Sequence, residues 1–202
     1  MPRRRSLTSA QIATAALAVL DRDGLEALSM RAVAQELGMG TMSLYRYVAD
    51  RGQLEGLVVD LVLQTIDLTV PRGSAAKRLS VLADRVRVAV GRHPAVVPLL
   101  LIHRHRVPSS IRWGETMLTV LTGAGITGTH RAIAFRAIMG YVFGALQVEH
   151  FGALSGPGTA ALADLPPEDF PILSETAAQA RSIPPAEEFR QGFDILLRGL
   201  GL

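Results

Sequence analysis

The 202-residue chain has no cysteine, which excludes disulfides, thiolate nucleophiles and cysteine-ligated zinc. That absence suits a reducing cytoplasm, where the chain is expected to reside. Charged residues make up only 19% of the sequence while 49% are apolar, a balance that argues against a disordered chain. No stretch approaches the roughly 20 apolar residues of a membrane span. The nearest, 132–148, carries Arg136 near its middle and Gln147 near its end, so no membrane partner is expected. Met1-Pro2-Arg3-Arg4-Arg5 is basic, but Ser6-Leu7-Thr8 follows in place of an apolar segment, so the start does not read as a signal peptide. Period-2 alternation is nearly absent, which argues against β-sheet.

Helix-period apolar spacing recurs between glycine and proline breaks instead, so the fold class is all-α. A first helix is expected from Thr8, with Gln11 three residues on as in a capping box and an apolar stripe of Ile12, Ala16, Val19 and Leu20. Asp23-Gly24 ends it, glycine suiting the left-handed position past a helix end. Ser29 suits the cap of a second helix with core face Val33, Ala34 and Leu37. Gly38-Met39-Gly40 breaks the chain before a third helix from Thr41 to about Val48. Asp50, with Gln53 three residues on, caps a fourth, which runs through Leu54, Leu57, Val58, Leu61, Val62 and Ile66 until Pro71 stops it. Further helices are expected at about 75–91, 94–103, 109–123, 128–152, 167–181 and 185–199, about ten in all. The Gly/Pro/Ala-rich stretch 152–167 reads as the most mobile loop.

Two short helices meeting at a glycine turn over 29–47 form a helix-turn-helix pattern. With Leu44 as the anchor of the third helix, Thr41, Met42, Ser43, Tyr45, Arg46 and Tyr47 face outward. A solvated helix face ordinarily carries Glu, Lys and Gln. This one carries hydroxyls that bond phosphates, an arginine that reads guanine edges, and apolar groups that meet thymine methyls. A helical hairpin whose tyrosines merely pack would show the same spacing.

Residues 8–60 resemble the DNA-binding domain of the tetracycline-repressor (TetR) family. The likeness runs through Ile12-Ala13, Ala16-Leu17, Gly24-Leu25-Glu26-Ala27-Leu28-Ser29-Met30-Arg31, Val33-Ala34, Leu37-Gly38-Met39, Ser43-Leu44-Tyr45-Arg46-Tyr47-Val48 and Leu54. The resemblance implies that Thr41–Tyr47 is the recognition helix in the major groove of a pseudo-palindromic operator, with Arg31 and Arg51 on the DNA backbone. Gly40 and Met42 depart from often-polar family positions, which shifts readout toward methyl or water contacts. Arg3, Arg4 and Arg5 suit an arm along phosphates or in a minor groove, or equally a solvated terminus. The implied organisation is a three-helix DNA-binding domain at 1–50 and a ligand-binding and dimerisation domain at 51–202, with 51–70 as linking helix.

The remainder resembles, more loosely, the ligand-binding domain of the tetracycline-repressor subclass. The likeness lies in Arg92-His93-Pro94, in a long apolar helix ending Gln147-Val148-Glu149-His150-Phe151, and in the loop and last helix that follow. Gly140 and Gly144, with Ala137 and Val148, make a smooth stripe on the long helix, and the last helix offers Phe189, Phe193, Leu196, Leu197 and Leu200. By the resemblance these two helices form a four-helix homodimer interface; an intrachain contact would use the same stripe.

Trp113, Met117, Leu121, Phe135, Met139, Tyr141 and Phe143 suit an apolar cavity, although most such residues are simply core. His103, His105, Arg136, Gln147, Glu149 and His150 are the polar candidates for a ligand, and an Arg136–Glu149 ion pair would satisfy two of them as well. Some relatives hold a drug–magnesium complex through a histidine and acidic groups. His103 and His105, two apart, point to different faces, so no metal or cofactor is expected. No phosphate-cradling Gly-Lys-Ser/Thr loop, Gly-x-Ser-x-Gly elbow or His-Glu-x-x-His motif is present, and His103, His130 and His150 have no triad order, so an enzyme is not expected. The expected function is a homodimeric transcriptional repressor released from its operator by a small, largely apolar effector. The alternatives are a regulator without an effector and, further off, a helical-bundle enzyme.

Overall fold

The computed structural model describes residues 7–152 and 156–202. Arg3, Arg4 and Arg5 lie outside them. Among the described residues there are eleven α-helices, one 3-10 turn and no strand. The helices are α1 (Ser9–Asp23), α2 (Met30–Glu36), α3 (Thr41–Leu44), α4 (Arg51–Leu63), α5 (Ala75–Gly91), α6 (Val97–His103), α7 (Pro108–Gly123), α8 (Gly128–Phe151), α9 (Pro157–Ala163), α10 (Pro171–Ala180) and α11 (Pro185–Gly199). The 3-10 turn, Pro94–Val96, leads directly into α6.

Local chemistry sets the helix starts. Thr8 accepts the Gln11 N–H (3.2 Å) while the Gln11 side chain accepts the Thr8 N–H (2.9 Å), a complete capping box on α1. Ser29 accepts from Ala32 N–H at the start of α2 (3.2 Å), and Asp50 from Gln53 N–H at the start of α4 (2.7 Å). The Gln53 side chain reaches one residue further back than a capping box requires, to Ala49 N–H (2.7 Å). Gly24 ends α1 with φ +81° and ψ 176°, so it is not the left-handed helical cap expected there but a conformation that still requires glycine. Gly38, at φ +65°, makes the turn between α2 and α3.

Two expectations need correction. Residues 152–167 are not a continuous loop, because Pro157–Ala163 forms α9. Proline fits the first helical position and the alanines after it are strong helix formers. The third and fourth helices are shorter than their apolar patterns suggest, closing at Leu44 and Leu63 and continuing only as turns.

The chain divides into two compact units, one formed by residues up to Thr69 with Arg85–Thr119, the other by Val70–Asp84 with Val120–Leu202. In the first, α1 packs against α4 and α2, α2 against α3, and α6 against α4. Its core holds Ile12, Ala16, Leu20, Leu28, Val33, Leu44, Leu54 and Val58, all at most 1% exposed. Arg85 clasps the segment after α4, donating to the carbonyls of Asp67 (2.6 Å) and Thr69 (2.7 Å) and pairing with the Asp67 carboxylate (2.9 Å).

In the second unit α8 packs on α11 and α9 on α10. Helix α8 is long and apolar enough to cross a bilayer, yet its Ala134, Ile138, Val142, Phe143 and Leu146 are buried. Tyr141 on α8 lies 5.6 and 5.5 Å from the rings of Phe189 and Phe193 on α11, and its hydroxyl donates to the Phe189 carbonyl (2.8 Å). Burial first, and then the Glu188 charge, holds the phenol above its ordinary pKa, so it stays a donor. Gly192 makes this packing possible: a Cβ there would run into the Tyr141 hydroxyl and stand 3.1 Å from its ring.

Gly192→Ala is therefore expected to lower stability by about 1–3 kcal/mol through overpacking, and Tyr141→Phe by about 0.5–1.5 kcal/mol. In the double variant the loss should be smaller than the sum, because removing the hydroxyl makes room for the methyl. Urea denaturation of the four proteins checks this. Leu44→Ala should lower stability by about 2–5 kcal/mol, while Met42→Ala on the same helix should leave it within about 0.5 kcal/mol, read by thermal melting.

Candidate nucleic-acid interface and effector residues

Helix α3 has four residues, no side-chain cap and one buried side chain, Leu44. The Gly40 carbonyl accepts from the N–H groups of Ser43 (2.9 Å) and Leu44 (3.3 Å), and a turn carries the chain on through Tyr47. Seating Leu44 and Val48 inward leaves the rest of the segment outward. Met42 is 80% exposed, and Tyr45, Arg46 and Tyr47 are exposed, with Thr41 and Ser43 half-buried. Neither tyrosine's side chain makes a ring contact or a hydrogen bond among the described residues.

The arginines of this unit are not equivalent. Arg31 on α2 and Arg46 are exposed and enter none of the ion pairs among the described residues. Arg22, by contrast, pairs with Asp23 (3.0 Å) and Glu36 (3.1 Å). Arg51, the first residue of α4, donates to Glu55 (2.7 Å) and to the Leu25 carbonyl (3.1 Å). Its guanidinium is half-exposed but already bonded.

The residues singled out for a ligand fall in both units. In the first, Trp113 and Met117 are buried on α7, His103 is buried at the end of α6, and His105 is exposed in the turn beyond. His103 Nε2 donates to Glu55 (2.7 Å), while its Nδ1 has no hydrogen-bond partner. In the second, Leu121 and Phe143 are buried, Phe135, Met139, Tyr141, Glu149 and His150 are half-buried, and Arg136 and Gln147 are exposed. Nε2 of His150 is likewise buried without a partner. The Tyr141 hydroxyl is engaged by α11 and is not an open ligand donor. Among the described residues no group of three His, Asp or Glu is placed to hold a metal ion.

The stripe on α8 is open: Gly140 and Gly144 are exposed, nothing lies within 4 Å of an added Cβ at either, and Ala137 and Val148 are half-buried. On α11 the pattern differs from a plain interface strip. Phe189, Phe193 and Leu197 are buried within the chain's own second unit, Leu196 and Leu200 are half-buried, and Ile195 is 63% exposed.

Two contacts and a groove left no mark in the sequence. The His103–Glu55 bond joins residues 48 apart, the Asp21 carboxylate accepts from His93 Nδ1 (2.7 Å) across 72, and a groove of about 570 Å3 runs beside α4, lined among others by Asp50, Gly52, Gly56, Asp60 and Arg106. Periodicity reports one helix face at a time, so none left a local signal.

Residues 12–54 match the model of the bacterial regulatory proteins of the tetR family, and residues 69–201 match the tetracycline-repressor-like C-terminal domain. Over 147 residues the chain is 38% identical to the transcriptional repressor DrrR1 of Streptomyces coeruleorubidus, covering 70% of this chain and 53% of that protein. It therefore spans about half the length of that relative. It is 27% identical over 201 residues to the class D tetracycline repressor protein of Escherichia coli, covering 96% of this chain and 88% of the other. Apo ActR of Streptomyces coelicolor superposes with a TM-score of 0.85 at 27% identity, covering 98% and 96% of the two chains. ActR in complex with actinorhodin gives 0.84 at 26% identity, covering 97% and 96%. The exposed face of α3 is thus displayed on a known scaffold, and the chain belongs to the tetR family of bacterial regulatory proteins, with a tetracycline-repressor-like C-terminal domain.

Proposed function

We propose that this protein is a cytoplasmic, homodimeric repressor that leaves its operator when a small, largely apolar effector binds. The observation that carries the reading is the outward set on α3 and the turn that follows it: an arginine, two tyrosines, two hydroxyls and a methionine around one buried leucine. That set matches the chemistry of groove recognition. Thr41, Met42, Ser43 and Arg46 are assigned to base edges, and Tyr45, Tyr47, Arg31 and Arg51 to the backbone, with Arg3–Arg5 as a supplementary arm. Residues 1–50 are the DNA-binding domain and 51–202 the ligand-binding and dimerisation domain.

A dimer is supported by the uncovered Gly140/Gly144 face on α8, where the absence of side chains allows a second helix to approach closely. Two recognition helices about 34–36 Å apart would then meet successive major grooves of a pseudo-palindrome. Effector control is supported by a relative, ActR, which holds actinorhodin. It is also supported by the buried, unpartnered ring nitrogens of His103 and His150, since a buried polar atom without a partner is costly. An effector contacting Trp113 or Met117 and bonding His103 within the first unit, or contacting Leu121 or Phe143 and bonding His150 within the second, would shift the balance by its preference for one state.

Fluorescence anisotropy with DNA from upstream of the protein's own gene, against scrambled DNA, tests the reading at several salt concentrations. Sequence-dependent binding is expected, with Arg46→Ala costing about 1–3 kcal/mol and relaxing base preference, and Arg31→Ala reducing the salt slope by about one with preference intact. Equal, steeply salt-dependent binding to both DNAs would contradict it. Actinorhodin is the first compound to titrate for release. Operator binding that persists at saturation with every compound that binds would refute effector control.

A further inference from the structure

Glu55 divides its carboxylate between two parts of the first unit. Oε1 accepts from Arg51 Nε one turn earlier on α4 (2.7 Å), and Oε2 accepts from Nε2 of His103 at the end of α6 (2.7 Å). Arg51 in turn donates through Nη2 to the Leu25 carbonyl, between α1 and α2 (3.1 Å). A bonded path therefore runs from α6 into the helix-turn-helix. Exposure falls steeply along it, from 48% for the Arg51 side chain to 13% for Glu55 and 2% for His103. The other α4 carboxylates are engaged elsewhere: Asp50 caps its own helix, and Asp60 accepts from Ser109 N–H (2.9 Å). Arg104, His105 and Arg106, beyond His103, are exposed. Glu55 is thus the carboxylate that joins the buried imidazole to the half-exposed guanidinium.

A carboxylate that serves two donors holds each less firmly than it would hold one. Withdrawing His103 strands Oε2 in a nearly buried site and concentrates the charge of Glu55 on Arg51. A guanidinium held more tightly by a protein carboxylate is less available to a phosphate. We infer that His103 is a positioning residue for operator binding, which acts through Glu55 to set how freely Arg51 reaches the DNA backbone. The inference rests on the proposed assignment of Arg51 to a phosphate.

The test is a double-mutant cycle on operator affinity and its salt slope, with thermal melting of each variant alongside. His103→Leu is expected to weaken operator binding about 3- to 10-fold. His103→Gln, which keeps a donor near the position of Nε2, should stay within about twofold of the wild type. In an Arg51→Ala background, His103→Leu should have no further effect, and Arg51→Ala itself should reduce the salt slope by about one. Glu55→Gln, which keeps the shape but removes the charge that restrains Arg51, should bind at least as tightly as the wild type; it decides the matter if His103→Leu fails to fold. A His103→Leu loss that persists without Arg51, an unchanged slope in Arg51→Ala, or weakened binding by Glu55→Gln would each overturn the inference. Absence of sequence-dependent binding by the wild type would instead overturn the functional proposal beneath it.

Discussion

The burial of Leu44 is the constraint on which the DNA-binding reading depends. A four-residue helix has too few internal hydrogen bonds to hold itself, because nucleation fixes several dihedrals for little return, and α3 lacks a side-chain cap as well. Its direction is set from outside, by one fully buried leucine on a helix that packs against α2. Once that leucine is seated, helical geometry leaves Met42, Tyr45 and Arg46 no place except outward. The capped starts of α1, α2 and α4 and the positive φ of Gly38 serve the same end, fixing the frame that the leucine enters.

The second unit solves a different problem. Its aromatic cluster of Tyr141, Phe189 and Phe193 joins α8 to α11 within one chain, and Gly192 gives the tyrosine ring room to lie against α11. The same long helix leaves Gly140 and Gly144 uncovered. One face of α8 is therefore closed by aromatics and another left smooth and open, which suits a helix that serves as core and as a surface for a second copy.

What was legible in the sequence is what is local. Thr8–Gln11, Ser29 and Asp50–Gln53 span three residues or fewer and mark helix starts directly, and the outward set on α3 follows from one anchor and a 3.6-residue period. The bounds of α5 and α11 could be read from their flanking prolines and glycines. The His103–Glu55 bond was not legible, because it joins residues far apart whose own helices give no sign of each other. Helix α9 was obscured by flanking glycine and proline, which mark breaks as readily as they mark a helix start. The apolar period of α11 shows that one face is covered but not by what: Phe189, Phe193 and Leu197 prove to be covered by the chain itself.

The central claim is that two copies of α3 read adjacent major grooves, and hydroxyl-radical footprinting of the wild-type protein on its upstream DNA tests it most directly. The account predicts protection in two windows related by a two-fold axis, with centres about one helical turn (10–10.5 base pairs) or a multiple apart. A single protected window, or uniform protection indistinguishable from that on scrambled DNA, would contradict it.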